Sequence, residues 1–240
     1  MTWSIVARDT TGALGIAIAS RFFAVGVLCP HVESDVGALS TQALVNPLYG
    51  PKALRSMAQG IAPVDIVGHL VAEDTGRDHR QLHMIDARGR IAAHTGVSCI
   101  DWCGHGGGDG FSVAGNMLAG PQVLSETMAA YEAHRAKPFA ERLLLALEAG
   151  DAAGGDKRGR QAAALRVCTG EAYPALDLRV DDDEHSIREL RRLYEKSFER
   201  FQPFLSCLPS RSNAVGITDR AEIERHIQRF TAEHAHKRAP

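Results

Sequence analysis

Residues 13–20, Ala-Leu-Gly-Ile-Ala-Ile-Ala-Ser, contain no polar side chain before the last position. Residues 2–8 precede them with Trp3, Ile5, Val6 and Ala7, and Asp9-Thr10-Thr11-Gly12 between the two runs is turn chemistry. The pattern predicts a β-hairpin that begins at the second residue. A strand with one wet face alternates polar and apolar side chains, and this pair largely does not. Its residues are small and apolar on both faces, so the sheet that holds them is expected to be covered on both sides.

The remaining periodicities follow from this start. A third strand is expected over 36–44, after which Pro47 and Pro51 punctuate the chain. Helices are expected over 51–59 and 63–74, with Pro63 in the first turn of the second. A second hairpin is expected from 80–86 and 90–96, around Asp86-Ala87-Arg88-Gly89. A strand over 111–118 precedes Pro121, which opens a helix to about 134, and another helix covers 138–149. Strands over 161–168 and 175–180 close the series. Strands come in groups and helices in pairs, which predicts a layered α+β arrangement rather than alternating βαβ units.

After Asp181-Asp182-Asp183 the character changes. Residues 184–201 carry Ile187, Leu190, Leu193, Tyr194 and Phe198 at helical spacing, and 220–236 form a second, more polar helix. The expected division is therefore a main domain over 1–181 and a helical C-terminal extension over 182–240.

Charge and composition exclude several classes. The chain has 27 basic and 29 acidic residues, a near balance that offers no footprint for nucleic acid or an anionic membrane. No run of 18 apolar residues exists to span a bilayer, and the opening residues lack the basic and long apolar regions of a signal peptide. A cytoplasmic location is the expectation. The five cysteines, Cys29, Cys99, Cys103, Cys168 and Cys207, are odd in number and widely spaced, which argues against a disulfide framework. Cys99, Cys103 and His105 lack the spacing of a zinc pair, so small thiols beside a glycine-rich segment are expected rather than a metal site. Gly104-His105-Gly106-Gly107-Gly108-Asp109-Gly110 carries no following Lys-Ser/Thr and leads into a strand, so it is not a phosphate cradle. It is expected to be a flexible loop between strands, or a flap over a site. No cofactor signature is present.

Several separated motifs carry a resemblance. They are Thr2-Trp3-Ser4-Ile5-Val6-Ala7-Arg8-Asp9, Ala19-Ser20-Arg21-Phe22-Phe23-Ala24-Val25-Gly26, and Thr41-Gln42-Ala43-Leu44-Val45-Asn46-Pro47-Leu48-Tyr49-Gly50. Ala93-His94-Thr95-Gly96, Gly115-Asn116-Met117-Leu118-Ala119-Gly120 and Gly154-Gly155-Asp156-Lys157-Arg158-Gly159-Arg160-Gln161 complete the set. Together they resemble the domain-of-unknown-function 1028 family over residues 1 to about 181. That family is grouped with the N-terminal-nucleophile (Ntn) hydrolases, which implies a four-layer αββα sandwich. Some members carry a peptidoglycan-binding-like segment at the C-terminus, and residues 178–193 resemble its beginning.

Thr2 can be argued from its own chemistry. Removal of Met1 would leave a free α-amino group beside the Thr2 hydroxyl. Such an amine has a pKa of about 8 and serves as general base near neutral pH without a separate histidine. The alternative is a Met-Thr start with no catalytic meaning. Arg21 follows the second strand and is either a surface arginine or, as the resemblance to Ntn amidases implies, a group that tunes the amine and holds substrate. Its fork suits a carboxylate. The proteasome-like lysine is absent, and Ser34 and Asp35 stand at the corresponding depth. Asn116 either donates to an oxyanion or holds a turn. Gln42 and Asn46 are further candidates at the end of the third strand. His94 is either a structural strand residue or a site contact, and Asp156 with Arg158 either clasp their own loop or reach substrate.

The expected function is hydrolysis of a small, non-peptide amide through a Thr2 ester, by a homo-oligomer acting on a small-molecule substrate. The competing readings are a catalytically silent binding or scaffold protein and a cell-wall-associated protein.

Overall fold

A computed structural model describes residues 2–238. Met1, whose removal the Thr2 chemistry requires, lies outside the described residues, and side chains are described through Glu233. The chain divides into two compact units, the first ending at Leu190 and the second beginning at Arg191.

The first unit is mixed α+β and is built on two antiparallel sheets. In chain order its strands are β1 (Thr2–Arg8), β2 (Leu14–Ser20), β3 (Pro30–Glu33), β4 (Gly37–Ala43), β5 (Arg80–Asp86), β6 (Ile91–Thr95), β7 (Trp102–Gly108), β8 (Phe111–Leu118), β9 (Ala162–Cys168) and β10 (Leu176–Val180). The helices are α1 (Val25–Leu28), α2 (Tyr49–Ala58), α3 (Pro63–Glu73), α4 (Gln122–Ala133), α5 (Phe139–Ala152) and the start of α6 (Ser186–Ser197). One sheet has six strands in the order β10-β9-β2-β1-β8-β7, and the other has four in the order β3-β4-β5-β6. Strands β1, β2 and β8 of the first sheet lie against β3, β4 and β5 of the second.

The opening hairpin forms as its composition requires. Strand β1 is central, paired with β2 on one side and β8 on the other. Every residue of β2 is buried, and so is every residue of β1 before Arg8. Alternation assigns the faces. Trp3, Ile5 and Ala7 point one way, where α5 lies on β1 and β2 and α4 on β7 and β8. Gly150 in α5 makes room for Trp3, because a Cβ there would sit 2.8 Å from the indole nitrogen. Thr2, Ser4 and Val6 point the other way, toward the four-stranded sheet. Val6 joins Leu14, Ile16, Val32, Ala38 and Ile85 in one apolar cluster between the sheets. The outer side of the four-stranded sheet is closed by α2 and α3, whose Tyr49, Ala53, Met57, Ile66 and Leu70 pack with Leu39, Leu82 and Met84.

The glycine-rich segment departs from expectation. Residues 104–108 belong to strand β7, registered against β8 from Gly104 opposite Gly115 to Gly108 opposite Phe111. The glycines serve close approach rather than flexibility. A Cβ at Gly107 would fall 2.6 Å from the Phe111 carbonyl oxygen and 2.8 Å from Ile91. Strand β3, helix α1 and a 3₁₀ turn over Arg77–His79 were also not anticipated.

The second unit contains the end of α6, a short helix α7 (Phe201–Leu205) and the long α8 (Arg220–Arg238). Helices α7 and α8 pack together, Arg200 pairs with Glu224, and Ser206 Oγ lies 2.7 Å from His226 Nε2. Among the described residues no helix is long and apolar enough to cross a membrane.

Candidate functional site

The order of strands sets the position of Thr2. It opens the central strand, directly opposite Ser20 on β2 and Asn116 on β8. Cross-strand partners share a face, so all three side chains point into the space between the sheets. Thr2 Oγ1 lies 3.1 Å from Ser20 Oγ. Thr2 is 5% exposed and Asn116 2%.

Behind this trio runs a connected set of buried polar side chains. Asn116 Nδ2 donates to Gln81 Oε1 at 2.9 Å, and Gln42 Nε2 donates to the same oxygen at 2.7 Å. Gln81 Nε2 in turn lies 2.8 Å from the Gly115 carbonyl and 2.9 Å from Thr95 Oγ1. Gln42 Oε1 accepts from Ser4 Oγ at 2.7 Å and from Ser40 Oγ at 2.9 Å. Ser4 spends its proton on Gln42, so His83 Nε2, 2.7 Å away, is the donor to Ser4. His83 Nδ1 is then an acceptor facing Ser112 Oγ at 3.2 Å, whose one proton it shares with the Gly106 carbonyl at 3.4 Å. Burial, aided by the charge of His105, lowers the His83 pKa from 6.5 to about 3. The imidazole is therefore neutral at physiological pH, as this pattern of donors requires.

Asn116 also lines a cavity of about 270 Å³ with Ala43, Leu44, Cys99, Ile100 and Met117. Two of these residues have left-handed backbone, Ala43 at φ 67° and Met117 at φ 55°. Such angles are unfavourable for residues with a Cβ and persist only where the surrounding structure holds them. Here they turn the chain at the ends of β4 and β8, beside Asn116. The cavity wall is predominantly apolar, with His79 and Ser98 as its other polar members.

The remaining predicted residues make hydrogen bonds of their own. The Arg21 backbone N–H donates to Asp156 Oδ2 at 3.0 Å, and its guanidinium Nη1 donates to the Arg160 carbonyl at 3.1 Å. Asp156 also accepts from the Arg158 backbone at 2.8 Å and pairs with the Arg158 side chain at 3.5 Å. It bridges in strand fashion to Leu118 as well, so its loop ties the end of β2 to the end of β8, on either side of Thr2. Asn46 Nδ2 donates to Asp74 Oδ2, which also receives Tyr49 Oη at 2.7 Å and Arg80 Nε at 3.1 Å. These partners, Tyr49 foremost, hold the Asp74 carboxyl well below the usual carboxylate range. Asn46 thus belongs to a clasp over the entry to α2. His94 Nε2 lies 3.0 Å from the Arg77 carbonyl. Cys99 and Cys103 each direct a thiol at a backbone carbonyl, and His105 Nδ1 lies 2.9 Å from Thr95 Oγ1.

Gln42 and Asn116 are where sequence reasoning and the buried network meet. Gln81, His83, Ser4, Ser40 and Ser112 were missed. Their signal is an even spacing that keeps them on one strand face: Ser40 and Gln42 lie two apart, as do Gln81 and His83, and Ser112 and Asn116 lie four apart. A polar face of that kind ordinarily reads as solvated, but here it is shut between two sheets.

Comparison with known proteins places the chain. Residues 2–190 match the model of a family of unknown function, DUF1028. The crystal structure of protein SPO2555 from Silicibacter pomeroyi, a member of that family, is 32% identical. It superposes with a TM-score of 0.84 over 91% of this chain and 99% of its own. Anbu (ancestral beta-subunit) from Yersinia bercovieri is 12% identical over 81% of this chain and 94% of its own, with a TM-score of 0.40, too low to argue a common fold. None of the functionally curated proteins compared matches the chain. The match over most of the chain and the close superposition show that it belongs to the DUF1028 family.

Proposed function

We propose that this protein is an Ntn-type amidohydrolase that uses Thr2 to cleave a small amide. One observation carries the reading. The residue that could become N-terminal opens the central strand, with Ser20 and a hydrogen-bonded Asn116 directly across from it. Helices on the outer side of each of two stacked sheets support the αββα layering that the proposal assumes.

In the proposed mechanism, cleavage before Thr2 frees its α-amino group. The amine takes the Oγ1 proton as Oγ1 attacks the substrate carbonyl, and Ser20 orients the hydroxyl. The C–N bond breaks, the amine proton leaves with the departing nitrogen, and a Thr2 ester remains. Water, deprotonated by the same amine, then attacks the ester and releases the acid. Asn116 has two amide protons. Gln81 fixes one, which leaves the other for the oxyanion. Arg21, next to Ser20, is assigned to the substrate rim, where its fork suits a carboxylate. The apolar cavity beside Asn116 suits an apolar substituent on the acyl or amine portion.

A second reading has its own support. Thr2 is nearly covered and does not line the cavity, as a silent binding protein would allow. One experiment separates them. Intact mass of the purified protein reports whether residue 2 is the first residue, and an electrophilic amide or β-lactone probe reports its reactivity. The enzyme reading expects loss of Met1 and labelling of the N-terminal peptide in the wild type but not in Thr2→Ala. A protein that keeps Met1, or labelling that persists in Thr2→Ala, refutes it.

A further inference from the structure

At the far end of β1, about 20 Å from Thr2 by strand rise, four chain turns gather. They are the β1–β2 turn, the β5–β6 turn, the β7–β8 turn and the α4–α5 connection. They enclose a cavity of about 410 Å³. Five cations line it, Arg8, Arg88, Arg135, Lys137 and Arg142, against two carboxylates, Asp9 and Asp109. The chain as a whole is nearly neutral, so this concentration of charge is local.

The cations differ in how they are held. Arg135 and Lys137 are exposed and lie near Glu132 and Glu141, at 3.9 and 3.7 Å. Among the described residues Arg8, Arg88 and Arg142 form no ion pair. Arg142 is fixed by its neighbours: its guanidinium lies 3.4 Å over the Tyr131 ring, and Nε donates to the Tyr131 carbonyl at 2.6 Å. That leaves both terminal nitrogens with donors to spare. Arg8 is half-buried, donates Nη1 to the Asp9 carbonyl at 3.2 Å, and has a buried Nε with no partner. A buried donor without a partner is a liability that a bound acceptor removes. Asp9 keeps its charge, which offsets part of that of Arg142, but its Oδ1 is turned to its own loop, where it accepts from the Thr11 backbone, the Thr11 hydroxyl and the Ala13 backbone. Helix α5 also starts here, with Pro138 and Phe139 in the cavity wall and no side chain capping its first N–H groups. The helix dipole adds to the positive field.

We infer that this cavity is a binding site for a compact, soluble polyanion bearing phosphate or carboxylate groups, separate from the Thr2 site. Two oriented guanidiniums, a third at the rim and a helix N-terminus supply planar, paired donors, which is the chemistry that recognises oxyanions. The volume exceeds the needs of a single halide, and the cations lie on several sides, so an anion with two or more charged groups is favoured.

The test is calorimetric titration of the full chain with pyrophosphate and, separately, with citrate, at ionic strength matched by sodium chloride. One-to-one binding that chloride does not reproduce is expected for at least one probe. The preferred probe tells phosphate from carboxylate recognition. Arg88 is exposed on a turn, so Arg88→Glu keeps the fold and is expected to weaken binding at least tenfold. Arg8→Gln is expected to do the same, with circular dichroism confirming that it is folded. Neither variant touches Thr2, so failure here leaves the amidohydrolase proposal standing, and the reverse holds. Absence of one-to-one binding by both probes, or wild-type affinity in Arg88→Glu, overturns the inference.

Discussion

His83 offers a prediction that needs no substrate. Its imidazole is fully buried between the sheets, and burial with the nearby His105 charge lowers its pKa from 6.5 to about 3. In the unfolded chain it protonates normally as pH falls through 6.5, while in the folded chain it stays neutral until about 3. Between those values the unfolded state binds one more proton, so stability rises with pH and is lost on acidification. One proton contributes a slope that approaches about 1.4 kcal/mol per pH unit below pH 6.5, or about 2 kcal/mol between pH 6.5 and 4.5. That is a large part of the roughly 5–15 kcal/mol that holds a typical domain folded. Urea unfolding of wild type and His83→Gln at several pH values from 4.5 to 7.5 measures it. The substitution shifts the whole curve through lost packing, but only the slope reports the proton. His31, also lowered by burial, remains in both proteins and cancels. Asp74, held low, contributes only below this range. The wild type is expected to lose stability more steeply by about one proton's worth. Equal slopes would refute the claim that His83 is kept neutral.

Two further predictions concern the site. On a substrate found by comparing wild type with Thr2→Ala, Asn116→Ala is expected to lower kcat by about 10²–10³ with KM little changed, because an oxyanion exists only near the transition state. Gln81 Oε1 keeps Gln42 as a donor in that variant, so the fold survives, and unchanged kcat would reduce Asn116 to a strand-end residue. Ala43→Gly is expected to raise unfolding free energy by about 1 kcal/mol, since glycine adopts positive φ without the Cβ conflict. Chemical denaturation reads the change, and destabilisation would mean the left-handed turn at Ala43 carries no strain.

Most of the main architecture was legible because apolar periodicity is dictated by layers. The hairpin at the N-terminus, the paired helices and the strands at 111–118 and 162–168 all bury their apolar positions against another layer. The glycine run was not legible, because glycine permits both a loop and a strand in close approach. Only the positions of Phe111 and Ile91 show which applies. The buried glutamines and histidine were obscured for a different reason. Polar alternation on a strand ordinarily means water, and a sequence does not show that a second sheet with matching polar positions lies opposite. Asn46 and Asp156 illustrate the limit for loops. Their composition announces hydrogen bonding, but only the spatial arrival of Asp74 or Arg21 decides with what.

The polar seam also bears on why the site would be built this way. Apolar residues at Gln42, Gln81 and His83 would pack between sheets without unsatisfied donors, and the neighbouring Val6, Ala38 and Ile85 do so. A half-satisfied polar core costs more than an apolar one, so such a network persists only when its members are closed on one another. Here they are closed from Ser112 through His83 and Ser4 to Gln42, and from Gln42 through Gln81 to Asn116. From Gln81 it branches, one arm running through Thr95 to His105 and the other to Asn116. The amide at the end of the second arm stands opposite Thr2, at the edge of a cavity whose wall holds two residues in left-handed backbone. A network serving only to align the sheets could end at any strand pair. One serving catalysis must hold the amide of Asn116 still while charge develops beside it, and a chain of neutral, mutually saturated side chains does this without bringing a competing charge near the Thr2 amine.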